Sequence, residues 1–184
     1  KCTHGIDLHT GAIHRSNLPQ IRANLDDTET LLLAKSFHVP VLLNANLRDG
    51  SLRESAAAQG IPMLLYEAGE ALRFNEVSIR AGLNGILEVM RHLQMLAVRK
   101  NQKHTAEPFV ARSSQWIRAP GSGIFRAAKS LGEKVKRNDV LGAINDPVAT
   151  LETPVISPCH GLIIGRSEIP LVHEGEAIYH IAQF

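Results

Sequence analysis

Cysteine is scarce, with only Cys2 and Cys159 in 184 residues, so no disulfide framework can carry this fold. That usage fits a reducing compartment, and the cytoplasm is the expectation. Aromatic residues make up only 4% of the chain, with a single tryptophan. Charge of one sign is lacking too. Lys plus Arg is 20 against 18 for Asp plus Glu, a net charge of +2. So small a surplus, with few aromatics within the basic stretch 112–137, argues against a nucleic-acid partner. No apolar run approaches the ~18 residues of a membrane span, and no charged-then-apolar leader opens the chain, so no membrane partner is expected.

What is present is an ordinary globular composition, 44% hydrophobic and 21% charged, in a chain long enough to bury a core unaided. Residues 1–98 read as alternating strands and helices. Gly5 to His9 ends a strand, with Asp7 and His9 on one face by the period-2 rule. Leu25 to His38 is helical, capped by Asp26 or Asp27, and Val39 to Leu43 suits a buried strand. Ser51-Leu-Arg-Glu54 is a capping box whose helix stops near Gly60. Pro62 to Tyr66 is a second buried strand, ending at Glu67. Asn75 caps a long helix with Ile79, Leu83, Ile86, Leu87, Met90, Leu93 and Ala97 at helical spacing. Strands alternating with helices predict an α/β layer on a mostly parallel sheet.

Residues 99–108 (99–107 being RKNQKHTAE, then a proline) form a polar linker, and 109–184 carry the Gly, Pro and short β-branched runs of an all-β unit. That unit repeats internally. Pro120-x-x-Gly123-Ile124 matches Pro158-x-x-Gly161-Leu162. Val135, Asn138, Leu141 and Ile144 match Val172, Gly175, Ile178 and Ile181. Two similar β units predict a small two-fold barrel or sandwich that closes its own edges. The pattern resembles the lipoyl/biotinyl barrel-sandwich hybrid, including Leu131-Gly-Glu-Lys-Val135. Where a carrier domain presents its modifiable lysine, however, the stretch 146–154 has none, which argues against a swinging-arm carrier.

Three residues in 1–98 could carry chemistry. His9, closing a strand beside Thr10-Gly11, can offer a neutral imidazole to a metal with Asp7 orienting the ring, or can simply be half of a hydrogen-bonded pair. Glu67, closing an apolar strand where hydration is reduced, suits a general base, or else faces solvent or pairs with an arginine. Arg53, with Arg48 nearby, can clamp a carboxylate through two parallel hydrogen bonds or can be a solvated helix-surface residue. His38, His92, His104, His160, His173 and His180 lack metal-like clustering, and Cys159-His160 lies in the turn of the repeat with no third group to orient a base.

The run Asp7-Leu-His9-Thr-Gly, followed by His14-Arg15-x-Asn17-Leu-Pro19-Gln-Ile-Arg22, resembles the succinylglutamate desuccinylase/aspartoacylase family. Gly50-Ser-Leu-Arg53, Gly60-Ile-Pro and Tyr66-Glu67-x-Gly69 extend the likeness. That family belongs to the zinc carboxypeptidase-like hydrolases, many with a C-terminal β-domain. The resemblance implies zinc as cofactor, His9 as the last of three zinc ligands, and Glu67 as general acid/base. It also implies Arg53 as the residue holding a substrate carboxylate. The implied reaction is hydrolysis of the amide bond of a small-molecule N-acyl amino acid. The fold class expected is thus α/β: a partial zinc-carboxypeptidase-like layer followed by a small all-β barrel-sandwich domain.

One part of the family pattern has no counterpart. Its first two zinc ligands lie in a His-x-x-Glu motif well upstream of Asp-x-His, and His9 is only the ninth residue here. The expectation is a C-terminal portion of a larger enzyme, inactive alone. Two rival readings are a non-catalytic binding or assembly module built on the β unit, and a zinc carboxypeptidase acting on peptides. Homo-oligomerisation is open.

Overall fold

A computed structural model describes residues 2–47, 49–98, 106–146, 148 and 152–184. Arg48, His104, most of the expected linker and the middle of the stretch 146–154 lie outside the described residues. Local chemistry sets the first elements where the residues predict them. The strand β1 is Gly5–His9. Asp27 caps α1 (Thr28–Ser36), its carboxylate accepting from the Thr30 backbone N–H and hydroxyl, which holds its pKa below the ordinary value. Ser51 caps α2 (Leu52–Ala57), and Asn75 caps α3 (Glu76–His92). Between them lie β3 (Val41–Asn44) and β4 (Met63–Gly69).

One strand had no sequence expectation: β2 (Arg15–Ala23), which contains Pro19. Proline in a central strand removes a ladder donor. The surroundings of Pro19 make that loss harmless. On one side β2 pairs antiparallel with β4, and the register shifts between Asn17 and Gln20. On the other side, residues Arg15 to Asn17 pair with β11 (Gly161–Ser167) and Gln20 to Ala23 with β3. Pro19 therefore sits in the gap of both ladders, where no N–H is called for.

Sheet topology departs from the mostly parallel expectation. Strands β1 and β4, β2 and β3, and β3 and β5 (Phe109–Ala111) pair in parallel, but β2 runs antiparallel to β4. These strands continue into β11, β13 (Ala177–Gln183) and β6 (Ser113–Arg118) to form a nine-stranded mixed sheet. A second, four-stranded sheet comprises β10 (Glu152–Ile156), β9 (Val140–Asn145), β7 (Gly123–Ala127) and β12 (Leu171–Val172). Among the described residues no closed barrel is seen in the C-terminal half. Its strands β11 and β5 are hydrogen-bonded to β2 and β3, and Val41, Leu43, Ala111, Leu162, Ile164 and Ala182 build a core shared by the two halves.

The internal repeat is visible as strand exchange. β8 (Lys134–Val135) of the first copy pairs with β11 of the second, and β12 of the second pairs with β7 of the first. Asn138 and Gly175, matched in sequence, both adopt the left-handed conformation, at φ 72° and 79°. Val135, Leu141, Ile144, Val172, Ile178 and Ile181 meet in one core between the two sheets.

Helix α3 turns only part of its expected face inward. Gly82, Gly85 and Val89 are buried and Ile86 and Leu93 pack partly buried against the same core, while Ile79 and Leu83 are about half exposed. The reason is close approach. A Cβ on Gly85 would overlap the ring of Phe37, which stacks on Tyr66 at a centroid distance of 5.2 Å. Without it the helix lies directly on that pair. Gly85→Ala should therefore lower the unfolding free energy by about 1–3 kcal/mol through overpacking. This loss prevails over the ~1 kcal/mol that alanine gains over glycine in a helix. Urea unfolding of the two proteins reads the sign, and a stabilised variant would refute this account of the helix contact.

Candidate functional site

The nine-stranded sheet has a helix face and an open face, and strand alternation assigns each residue to one of them. Ile6, Ile21, Ala23, Leu64, Tyr66 and Ala68 pack with α1 and α3 in one core. Asp7 and His9 on β1, Glu67 on β4, and Gln20 and Arg22 on β2 therefore lie on the opposite side. There His9 is the register partner of Glu67, and Glu67 that of Gln20. Asp7 Oδ2 lies 3.0 Å from His9 Nε2, and the His9 side chain is half exposed. The two residues singled out for metal binding and for base catalysis are thus neighbours at the C-terminal ends of paired parallel strands.

Glu67 is held by both oxygens. Asn17 Nδ2 donates to Oε1 at 2.7 Å, and Arg22 Nε approaches Oε2 at 2.7 Å as an ion pair, its N–H not aligned as a hydrogen bond. As to its surroundings, Glu67 is paired with an arginine rather than facing solvent, and its side chain is 19% exposed. Neither Asn17 nor Arg22 was singled out from the residues themselves. The signal that finds them is alternation along β2, which sets Arg15 and Asn17 on the open face before Pro19, and Gln20 and Arg22 there after it.

From Asn17 the row continues into the C-terminal half: Asn17 is opposite Gly165, Gly165 opposite His180, and His180 opposite Trp116. Gly165 is required by crowding, since a Cβ there would stand 2.6 Å from Asn17 Oδ1. His180 is buried, its ring stacked on Trp116 at 4.3 Å, and its Nδ1 has no partner. Both amide atoms of buried Gln20 also lack partners. Burial, helped by the nearby Arg22 charge, pushes the His180 pKa down to about 3.

Arg53 is not brought to this row. Buried on α2, it donates from Nη1 to Ala45 O and from Nη2 to Asn46 O, both at 3.3 Å, fixing the segment after β3. It lines a cleft with Asn24, Asp27, Pro62 and Met63, at the start of β4, whereas Glu67 is near its end. Among the described residues no three His, Cys, Asp or Glu side chains come together as a metal site. His9 with Asp7 has the chemistry of one ligand and its orienting carboxylate. Among the described residues no helix is long and apolar enough to cross a membrane.

Comparison with known proteins supplies a context. The family model for the succinylglutamate desuccinylase/aspartoacylase catalytic domain matches residues 1–93. Among solved structures, the apo ectoine utilization protein EutE (DoeB) of Ruegeria pomeroyi is similar at 18% identity and TM-score 0.84. That match covers 100% of this chain and 61% of that one. A succinylglutamate desuccinylase/aspartoacylase from Rhodobacter sphaeroides is similar at 22% identity and TM-score 0.82, covering 98% and 58%. A product-bound structure of the Ruegeria protein matches at 21% identity and TM-score 0.77, covering 97% and 57%. The chain thus spans about three fifths of the length of these structures. No curated protein matches it.

The buried histidine makes stability depend on pH. In the unfolded chain His180 titrates near 6.5, but in the folded protein only near 3. Its contribution is complete above pH 6.5. It is lost as pH falls toward 3, because the unfolded state alone takes up the proton. His180→Phe, which keeps a ring against Trp116, should flatten the decline between pH 6.5 and 4 by a few kcal/mol, on the order of 3. Urea midpoints at several pH values measure it, and parallel curves for the two proteins would contradict the assignment.

Proposed function

The chain belongs to the succinylglutamate desuccinylase/aspartoacylase family, and from that premise we propose that it is part of a zinc-dependent hydrolase cleaving the amide bond of an N-acyl amino acid. One observation carries the reading. His9 and Glu67 are register partners on the open sheet face, Asp7 reaches a His9 ring nitrogen, and Asn17 by a hydrogen bond and Arg22 by an ion pair hold the Glu67 carboxylate.

In this reading His9 is one zinc ligand and Asp7 sets the direction of its ring. A bound zinc ion lowers the pKa of water and polarises an acyl carbonyl. Glu67 accepts the proton of the attacking water and delivers it to the amide nitrogen as the C–N bond breaks and a C–O bond forms, giving a carboxylic acid and a free amine. Asn17 and Arg22 keep the carboxylate in one orientation through the proton's arrival and departure. Without Arg22, rotation about its side-chain bonds would cost part of the benefit of positioning. The β unit, a barrel-sandwich-like module without a carrier lysine in this reading, presents Trp116 and His180 along the row that begins at His9. Only part of a zinc ligand set is present among the described residues, so activity is expected of the intact gene product rather than of this chain alone.

The test is metal content and hydrolysis together, in the intact gene product. Glu67→Gln should reduce kcat on N-acyl amino acids by at least ~100-fold while zinc is retained. His9→Ala should lose zinc. Assays on dipeptides separate this activity from that of a carboxypeptidase. Full activity in Glu67→Gln, or preferential dipeptide cleavage, would overturn the reading.

A further inference from the structure

The two arginines that β2 sets on the open face differ in their partners, and the contrast is informative. Arg22 pairs with Glu67, which also accepts from Asn17, and Glu70 accepts from the His14 backbone N–H at 3.0 Å. Arg15 lies among these groups, two residues before Asn17 and on the same face of β2, yet among the described residues no carboxylate pairs with it. Its contact is with an aromatic ring: Cζ lies 5.1 Å from the Trp116 centroid.

The backbone beneath that side chain is fixed. The Arg15 N–H donates to Ala12 O at 3.1 Å, and Arg15 is opposite Ser167 in the β2–β11 ladder. Trp116 is in turn seated on His180 with an interplanar angle of 9°. A guanidinium attracted to the face of an indole need not spend its N–H donors on that contact. The distance also suits a ligand. Arg15 and Asn17 are one i to i+2 step apart, ~7 Å along a strand, and Asn17 touches Glu67. Arg53, in contrast, has its guanidinium committed to backbone carbonyls at the other end of β4.

We propose that Arg15, steadied by Trp116 of the C-terminal β unit, receives a carboxylate of the substrate, so that this unit forms one wall of the site. The proposal rests on the hydrolase reading for the identity of its ligand, an acyl amino acid carrying a free carboxylate. It assigns the β unit a part in substrate selection.

Trp116 is the single tryptophan of this sequence, so its emission reports on the stack. In the intact gene product, with the Trp116 signal isolated by difference against Trp116→Phe, N-acetyl-L-aspartate and its uncharged diamide are titrated in turn. The dicarboxylate should give a saturable change and the diamide none. Arg15→Gln should weaken the dicarboxylate roughly 10- to 100-fold, and Arg15→Lys by less, because a bidentate contact becomes a point charge. An unchanged unfolding midpoint in both variants shows that the fold is intact. Wild-type affinity in Arg15→Gln, equal weakening of dicarboxylate and diamide, or no response to the dicarboxylate overturns the proposal. Absence of hydrolysis with the carboxylate-selective response retained defeats the hydrolase reading alone. Hydrolysis with unchanged affinity in Arg15→Gln defeats the Arg15 assignment alone.

Discussion

Everything on the open face hangs from β2. Within nine residues this strand makes three ladders, to β4, β3 and β11, and so joins the helix-backed half of the molecule to the β half. The shift in register between Asn17 and Gln20 is the constraint that makes this workable. It admits Pro19, and it lets both Asn17 and Arg22 reach the same carboxylate although five positions separate them. In an unbroken strand, residues of opposite parity point to opposite faces. Asn17 and Arg22 have the same parity only by alternation with that extra step removed, so the irregularity is what converts two odd partners into one clamp.

A second consequence is that the site cannot be divided between domains. The row from His9 through Glu67, Asn17, Gly165 and His180 to Trp116 crosses six strands, three from each half. Hydrogen bonds across a sheet are short and directional, so a displacement of β11 relative to β2 would move Gly165 and the strands beyond it against Asn17. The shared core of Val41, Leu43, Ala111, Leu162, Ile164 and Ala182 opposes such a displacement by burying apolar surface from both halves.

Much of the local structure was legible in the residues because it is locally determined. Asp27, Ser51 and Asn75 cap helices where caps belong, and His9 and Glu67 close short apolar runs. The repeat was legible as well, down to the left-handed turn shared by Asn138 and Gly175. What escaped depends on partners distant in the chain. Strand β2 was hidden by its proline, whose acceptability is a property of the two flanking ladders. The share of α3's inward face made by Gly82 and Gly85 was hidden because glycines carry no hydropathy signal, yet Gly85 permits the close approach to Phe37. Arg53 precedes β4 by a short turn and so belongs at that strand's beginning. Four residues of strand, ~13 Å, separate that end from Glu67, a distance that motif order does not reveal.

Gln20 and His180 bear on why this face is polar at all. Burying an amide or an imidazole without partners costs free energy, and apolar residues of similar shape would remove the cost. Both residues nevertheless lie fully inside the sheet, beside Arg22 and the Asn17–Glu67 contact. Two buried polar side chains without partners thus stand beside the ion pair of partly buried Arg22 with Glu67, a local cost in stability and a departure from the usual full pairing of buried polar groups.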